Sequence, residues 1–482
     1  MDTGTTVIRN AAWIAAWDGE RHRYLRDADI AFAAGRIVHV GSRYDGDAAR
    51  TVDGSRRCVI PGLVNLHSHP HTEPAYKGVR EDHGVPEMYD TGLYERSCAF
   101  SLDAEGRRAG MEMSYAELLL SGVTTVVDLS GPVDGWIECA ARSGLRVYIG
   151  PFFADARWKL EHRHDLGFDW DETRGRREFE EAIRIMESAE RHSCGRLRGM
   201  VFPGQIETCT EATLRDAADH ARETGRPLTT HLSQSRLEFQ EIVRRHGRTP
   251  IEYAEHIGFL GPSTIVGHAL FVDEHPDIRW RSAGDLDRLA GSGTSVAHCP
   301  SPFARYGQAM SHFGRYRARG VNVGLGTDVA PHNLAEEMRL AILLARVMAG
   351  SVSAVDTGEM FRAATVGGAD ALGRDDLGRL EQGAAADIVL LDLDHPAMRP
   401  ARDPVRSFVF EAADRAVRDV FVDGRQVVED GKPLHLDTQK AAVALEAAQA
   451  RMIEEAPGRD FLGRSGDAIA PHSLPSAPGS AA

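Results

Sequence analysis

Lysine is nearly missing from this chain: only Lys77, Lys159, Lys432 and Lys440 occur in 482 residues, and none lies between 160 and 431. No C-x-x-C pair is present among the six cysteines at 58, 98, 139, 194, 209 and 299, which argues against a disulfide framework. No apolar run approaches the ~18 residues of a membrane span; the best, 340–349, is broken by Arg346. The opening MDTGTTVIRN has neither the basic nor the apolar region of a signal peptide. Basic residues total 56 against 71 acidic ones, a formal charge of −15, so a nucleic acid or an anionic membrane is not the expected partner. With 42% hydrophobic and 26% charged residues, the expectation is a cytoplasmic enzyme-sized chain with a large core.

Both ends read as short strands with Gly turns: 1–58 at the start, then 386–394 and 417–432, with an Asp-Gly turn at 423–424. We expect 1–58 and 385–435 to complete one small β-sandwich. Between them lie eight strand-like runs, at 59–67, 122–129, 145–153, 197–204, 227–234, 263–270, 294–300 and 321–329. Most are continuously apolar, as strands covered on both faces are. The segments between them carry helical periodicity, as with Met111, Tyr115, Leu118 and Leu119 on one face. Eight such units predict an α/β fold, a (β/α)8 TIM barrel over 59–384. No G-x-G-x-x-G follows the first run, which disfavours a dinucleotide-binding sheet. The long connections 70–104 and 154–176 are expected lids or specificity elements. A helix is expected over 436–456, followed by a disordered Pro-, Gly- and Ser-rich tail, 457–482.

Histidine recurs at the carboxyl ends of these runs, the face that carries the active site of barrel enzymes. His67 and His69 are two residues apart at the end of the first, so both can reach one ion. His231, His268 and His298 fall near the ends of the fifth, sixth and seventh, and Asp328 ends the eighth. Three imidazoles and a carboxylate with an open position suit catalytic Zn2+ or Fe2+. The pair His162/His164 reads as a solvated loop pair.

The motifs PGLVNLHSH, TTHLSQS, VGHAL, AHCPSP, GLGTD and LGRLEQGAAADIVLLD span the chain from about residue 5 to 435. On them the chain resembles the amidohydrolase superfamily, in the group of cytosine deaminase-like, methylthioadenosine/S-adenosylhomocysteine deaminase-like and triazine chlorohydrolase-like enzymes. The resemblance implies metal ligands His67, His69, His231 and Asp328, with His268 as acid/base or electrostatic partner near the leaving group. It also implies a small-molecule substrate and a homodimer or higher homo-oligomer. Binuclear relatives use a carboxylated Lys after the fourth strand. The lysine-free stretch therefore implies one divalent metal per chain, Zn2+ ahead of Fe2+, unless Glu207 or Cys209 bridges a second.

Deaminases of this group carry H-x-x-E at the fifth strand, whereas this chain reads His231-Leu-Ser-Gln234. Gln234 can orient by hydrogen bonds but cannot shuttle a proton near neutral pH. His298, His332 and Asn333 are the expected substrate contacts, although Asn333 could instead cap a helix. The expected chemistry is hydrolysis at an sp2 carbon, with Asp328 taking a proton from the attacking water. Carbon–nitrogen bonds rank first, C–Cl or C–S cleavage second. A catalytically silent barrel is the rival from another class.

Overall fold

A computed structural model describes residues 4–81, 86–89, 91–311 and 313–475. Four parallel strands form one run: Leu63–Ser68, Val123–Ser130, Arg146–Phe153, and a fourth split into Leu197–Gly199 and Phe202–Pro203. A second parallel run holds Leu228–Leu232, Thr264–His268, Ser295–His298 and Val323–Leu325. Parallel bridges Val201–Leu228 and Gln205–His231 join the two runs at one seam, and Ser68–Asp328 joins them at the other. Every residue of Val123–Ser130 is buried, as its unbroken apolar run demands of a strand covered on both sides.

Helices follow the strands, and the longer ones begin on side-chain caps. Asp103 accepts from the Gly106 amide to start Ala104–Leu120, and Asn333 accepts from Glu336 to start Leu334–Ala349. Met111, Tyr115, Leu118 and Leu119 are all buried, the face that their spacing predicts. Among the described residues no single helix is long and apolar enough to cross a membrane.

The terminal segments form two further sheets. One is four-stranded and drawn wholly from the start of the chain. The other is seven-stranded and mixes both ends: Arg57–Pro61 pairs antiparallel with Ile388–Asp392. Ile8, Ile30 and Phe32 of the first share a buried cluster with Val59, Ile388, Leu390 and Phe421 of the second. The run read as one strand over 59–67 is therefore two. The chain leaves the terminal sheet at Pro61 and enters the parallel run at Leu63. Gly62 makes the crossing because a Cβ there would stand 2.0 Å from the Thr124 hydroxyl. Arg146, on the third parallel strand, ties the layers together through Asp387 at 2.8 Å and Asp423 at 2.9 Å.

Of the tail expected from 457 onward, residues 457–475 have a described placement and 476–482 lie outside the described residues. The helix Thr438–Glu455 packs on Ala104–Leu120, close enough that a Cβ on Gly106 would meet Ala448 at 2.6 Å. Beyond it Asp460 pairs with Arg464 at 2.6 Å, and Arg464 reaches Glu95 at 2.7 Å. Phe461 and Ile469 pack on separate apolar clusters. Polar composition hid these anchors, two apolar contacts and an ion-pair chain. Deleting 457–482 is accordingly expected to lower the melting temperature by a few degrees and to reduce turnover, since Glu95 lies on the helix Leu93–Ala99 that walls the site described below. A thermal melt and an activity assay of the truncated chain check this; unchanged values would mean that the tail's contacts contribute nothing.

Candidate active site

Alternation along Leu63–Ser68 sends His67 inward, and the chain continues to His69 on the same side. His67 is fully buried, and neither ring nitrogen has a hydrogen-bond partner. Glycines make room for it: a Cβ on Gly267 would lie 2.9 Å from its Cε1, and one on Gly326 would lie 2.7 Å from its Cβ. The Asn65 carboxamide oxygen accepts from its backbone amide at 3.1 Å. His69 and His231 are each oriented through Nδ1, which meets the Leu129 carbonyl at 2.7 Å and the Gly204 carbonyl at 2.6 Å. Nδ1 donates in both, so each Nε2 keeps a lone pair for a further partner.

These two Nε2 atoms face each other at 3.2 Å. Asp328 Oδ1 lies 3.2 Å from His69 Nε2 and 3.4 Å from His67 Nε2. One ligand atom from each of His67, His69, His231 and Asp328 falls within 4.8 Å of all the others. Lone pairs so close, with a buried imidazole left unpartnered, suit a shared cation, and the three-histidine, one-carboxylate set suits Zn2+ or Fe2+. Burial and the facing imidazoles hold His231 well below its ordinary range, and burial lowers His67. Burial works against ionisation of Asp328, but the adjacent His67 and His69 imidazoles outweigh it and hold the carboxyl well below its usual value. His67 and His231 are thus held as neutral imidazoles, the form that binds metal, while at His69 the neighbouring Asp328 outweighs burial and raises the imidazole.

His268 closes one side. Its ring is 4.7 Å from that of His67 and 4.9 Å from that of Phe303, and Nδ1 is buried without a partner. Burial pushes it down to about 3. Its φ of +79° and the +59° of Asp328 are left-handed conformations, costly outside glycine and concentrated where a site over-determines the backbone.

A cavity of about 280 Å3 opens onto His69, His231, His268 and Asp328. The long connection after the first strand supplies much of its wall, including His71, Glu73, Tyr76, Arg96 and Phe100. The connection after the third supplies Trp158 from a hairpin of Ala156–Lys159 and Gly167–Trp170. Gln234 lines the cavity with Nε2 buried and unpartnered. Its position is set by Glu238, whose carboxylate accepts from the Ser233 amide at 2.6 Å and the Gln234 amide at 2.7 Å. Ser233 between them has φ +54°, so the carboxylate pins a strained turn.

The three expected substrate contacts are not in this wall. His298 packs against Phe313, with ring centroids 5.7 Å apart. His332 bonds through Nδ1 to the Thr327 hydroxyl at 2.9 Å, and Asn333 is a helix cap. Strand-end position alone did not reveal which way these side chains point. Glu207 and Cys209 lie outside the four-ligand group: Glu207 accepts from Trp158 Nε1 at 3.2 Å, and Cys209 lies by the Phe153 carbonyl. The exposed His162 and His164 also stand outside it. Sequence reasoning missed Glu238 and Glu73, because a lone acidic residue in a helix or loop carries no spacing signal.

Comparison with known proteins gives the family and the fold type. The amidohydrolase family profile matches residues 58–427. A 5-methylthioadenosine/S-adenosylhomocysteine deaminase of Haloarcula marismortui is 30% identical over 434 residues, 89% of this chain and 95% of that protein. A 5'-deoxyadenosine deaminase of Methanothermobacter thermautotrophicus is 30% identical over 433 residues, with the same coverage. Among solved structures, an adenosine deaminase from Xanthomonas campestris with bound zinc superposes with a TM-score of 0.80 at 22% identity, covering 93% of this chain and 98% of that one. An atrazine chlorohydrolase from Arthrobacter aurescens TC1 complexed with zinc gives 0.79 at 25%, covering 92% and 100%. The fold is of the TIM-barrel type, and the chain belongs to the amidohydrolase family, as a metal-dependent hydrolase of carbon–nitrogen bonds other than peptide bonds.

Proposed function

We propose that His67, His69, His231 and Asp328 hold one divalent cation at the mouth of a closed eight-stranded ring, and that His268, Asp328 and Gln234 carry the chemistry. In this reading the bridges at both seams close the ring, and the two terminal sheets, sharing one core, are its β-sandwich. The observation that carries the proposal is the set of four ligand atoms within 4.8 Å, including a buried imidazole with no other partner. When bound, the ion supplies a Lewis acid that makes hydroxide available near neutral pH. Asp328, held ionised, accepts the proton of the attacking water. His268, an imidazole inside the cavity wall, hydrogen-bonds the charge that develops on the substrate or meets the leaving nitrogen. Gln234 Nε2 donates to an acceptor on the substrate and cannot protonate a ring nitrogen. That favours an amide, urea or already activated heterocycle over an ordinary nucleoside. The cavity, at the low end of the ~300–1,000 Å3 typical of ligand sites, favours a small molecule as well.

The test pairs a substrate panel with Gln234. Amides, ureas, amino-heterocycles and chloro-heterocycles are assayed for released ammonia or amine and for released chloride. Amine release is expected; chloride release alone would replace the carbon–nitrogen reading with a dehalogenase. On the substrate so found, Gln234→Ala is expected to lower kcat/KM about ten- to a hundredfold, the loss of one positioned hydrogen bond of about 1.5–3 kcal/mol. Gln234→Glu is expected to add an ionisation to the pH–rate profile. If Gln234→Ala were wholly inactive, proton transfer would have to be reassigned.

A further inference from the structure

The cavity wall holds buried hydrogen-bond donors that have no partner among the described residues. His71 Nε2 accepts from the Gly131 amide at 3.3 Å, so its proton sits on Nδ1. Nδ1 is nevertheless buried without a partner. Gln234 Nε2 is a second buried donor in the same wall. Arg107, whose charge is felt by His71, also lines the cavity. Its guanidinium makes one hydrogen bond, from Nε to the Leu102 carbonyl at 3.1 Å, and no ion pair among the described residues.

The wall's carboxylates are already engaged. Glu73 pairs with Arg80 at 2.7 Å, and Asp328 faces the imidazole cluster. Buried donors left unsatisfied are costly, and a guanidinium inside a cavity attracts an anion strongly because the surroundings screen it poorly.

We propose that the substrate bears a carboxylate, which Arg107 and His71 Nδ1 bind while the scissile carbon lies at the imidazole cluster. The inference rests on the hydrolase reading above and narrows it to small carboxylate-bearing amides, ureas or heterocycles. Arg107 is then a specificity-determining residue: it holds the end of the substrate that does not react.

Binding of inert probes to the purified holoenzyme tests this. Benzoate and N-acetylglycine are compared with benzamide and N-acetylglycinamide by equilibrium titration. The carboxylates are expected to bind about ten- to a hundredfold more tightly than their amides, the range of one charge-assisted hydrogen bond. Arg107→Met is expected to reduce that ratio to near unity, and Arg107→Lys to restore part of it; a melting curve of each variant confirms folding. With a turnover substrate, the Arg107→Met loss should fall mainly on KM. Equal binding of acids and amides by the wild type overturns the proposal. So does a preference that survives in Arg107→Met, which would place the carboxylate on the metal ligands instead. Either result could accompany turnover that His67→Ala abolishes, and the hydrolase reading would then stand without this one.

Discussion

His67→Ala and Asp328→Asn are each expected to abolish turnover, a loss of at least about a thousandfold, while the chain keeps a cooperative melting transition. The two side chains sit at strand ends above the core, and a catalytic metal contributes chemistry more than fold, unlike a zinc finger. Asn is the better replacement at 328 because φ there is +59°, a conformation that Asn tolerates and Ala resists. At 67 the alanine leaves a small void between Gly267 and Gly326, costing stability of order 1–3 kcal/mol but not the fold. The comparison is made by steady-state assay beside circular dichroism. Wild-type rates in both variants would show that the four-ligand cluster has no part in the reaction.

Removing His268 ranks next. His268→Ala is expected to lower kcat about a hundred- to ten-thousandfold with little change in metal content, since the residue is outside the four-ligand group. Its ring packs edge-on against His67 and Phe303, so His268→Phe serves as a control that refills the space without a nitrogen. Equal loss in both variants points to the imidazole's polar contact; recovery with Phe would mean that His268 acts only by packing.

The layout of strands was legible because parallel strands covered on both faces read as continuous apolar runs. The cluster was legible because i, i+2 histidines at a strand end share a side. Orientation was not. His298 is the last residue of its strand and His231 the last but one of its own, so His298 sits one step beyond His231 in register and packs toward Phe313, a difference that single-sequence patterning does not encode. Asn333 could be read as cap or contact, and the structure makes it a cap. The cavity wall was the least legible part: His71, Arg96 and Trp158 come from two long connections whose path is decided by tertiary contacts, among them Arg464 with Glu95. The tail shows the same limit. Few apolar residues suggested disorder, but Phe461 and Ile469 meet apolar clusters ready to receive them.

Among the described residues the group of candidate ligands has four members, and neither Glu207 nor Cys209 is one of them. Elemental analysis of the purified protein, wild type beside His67→Ala, is the most direct test. The account predicts about one divalent transition-metal ion per chain, lost in the variant. Two ions per wild-type chain, or full turnover by a wild-type chain stripped of metal, would contradict it.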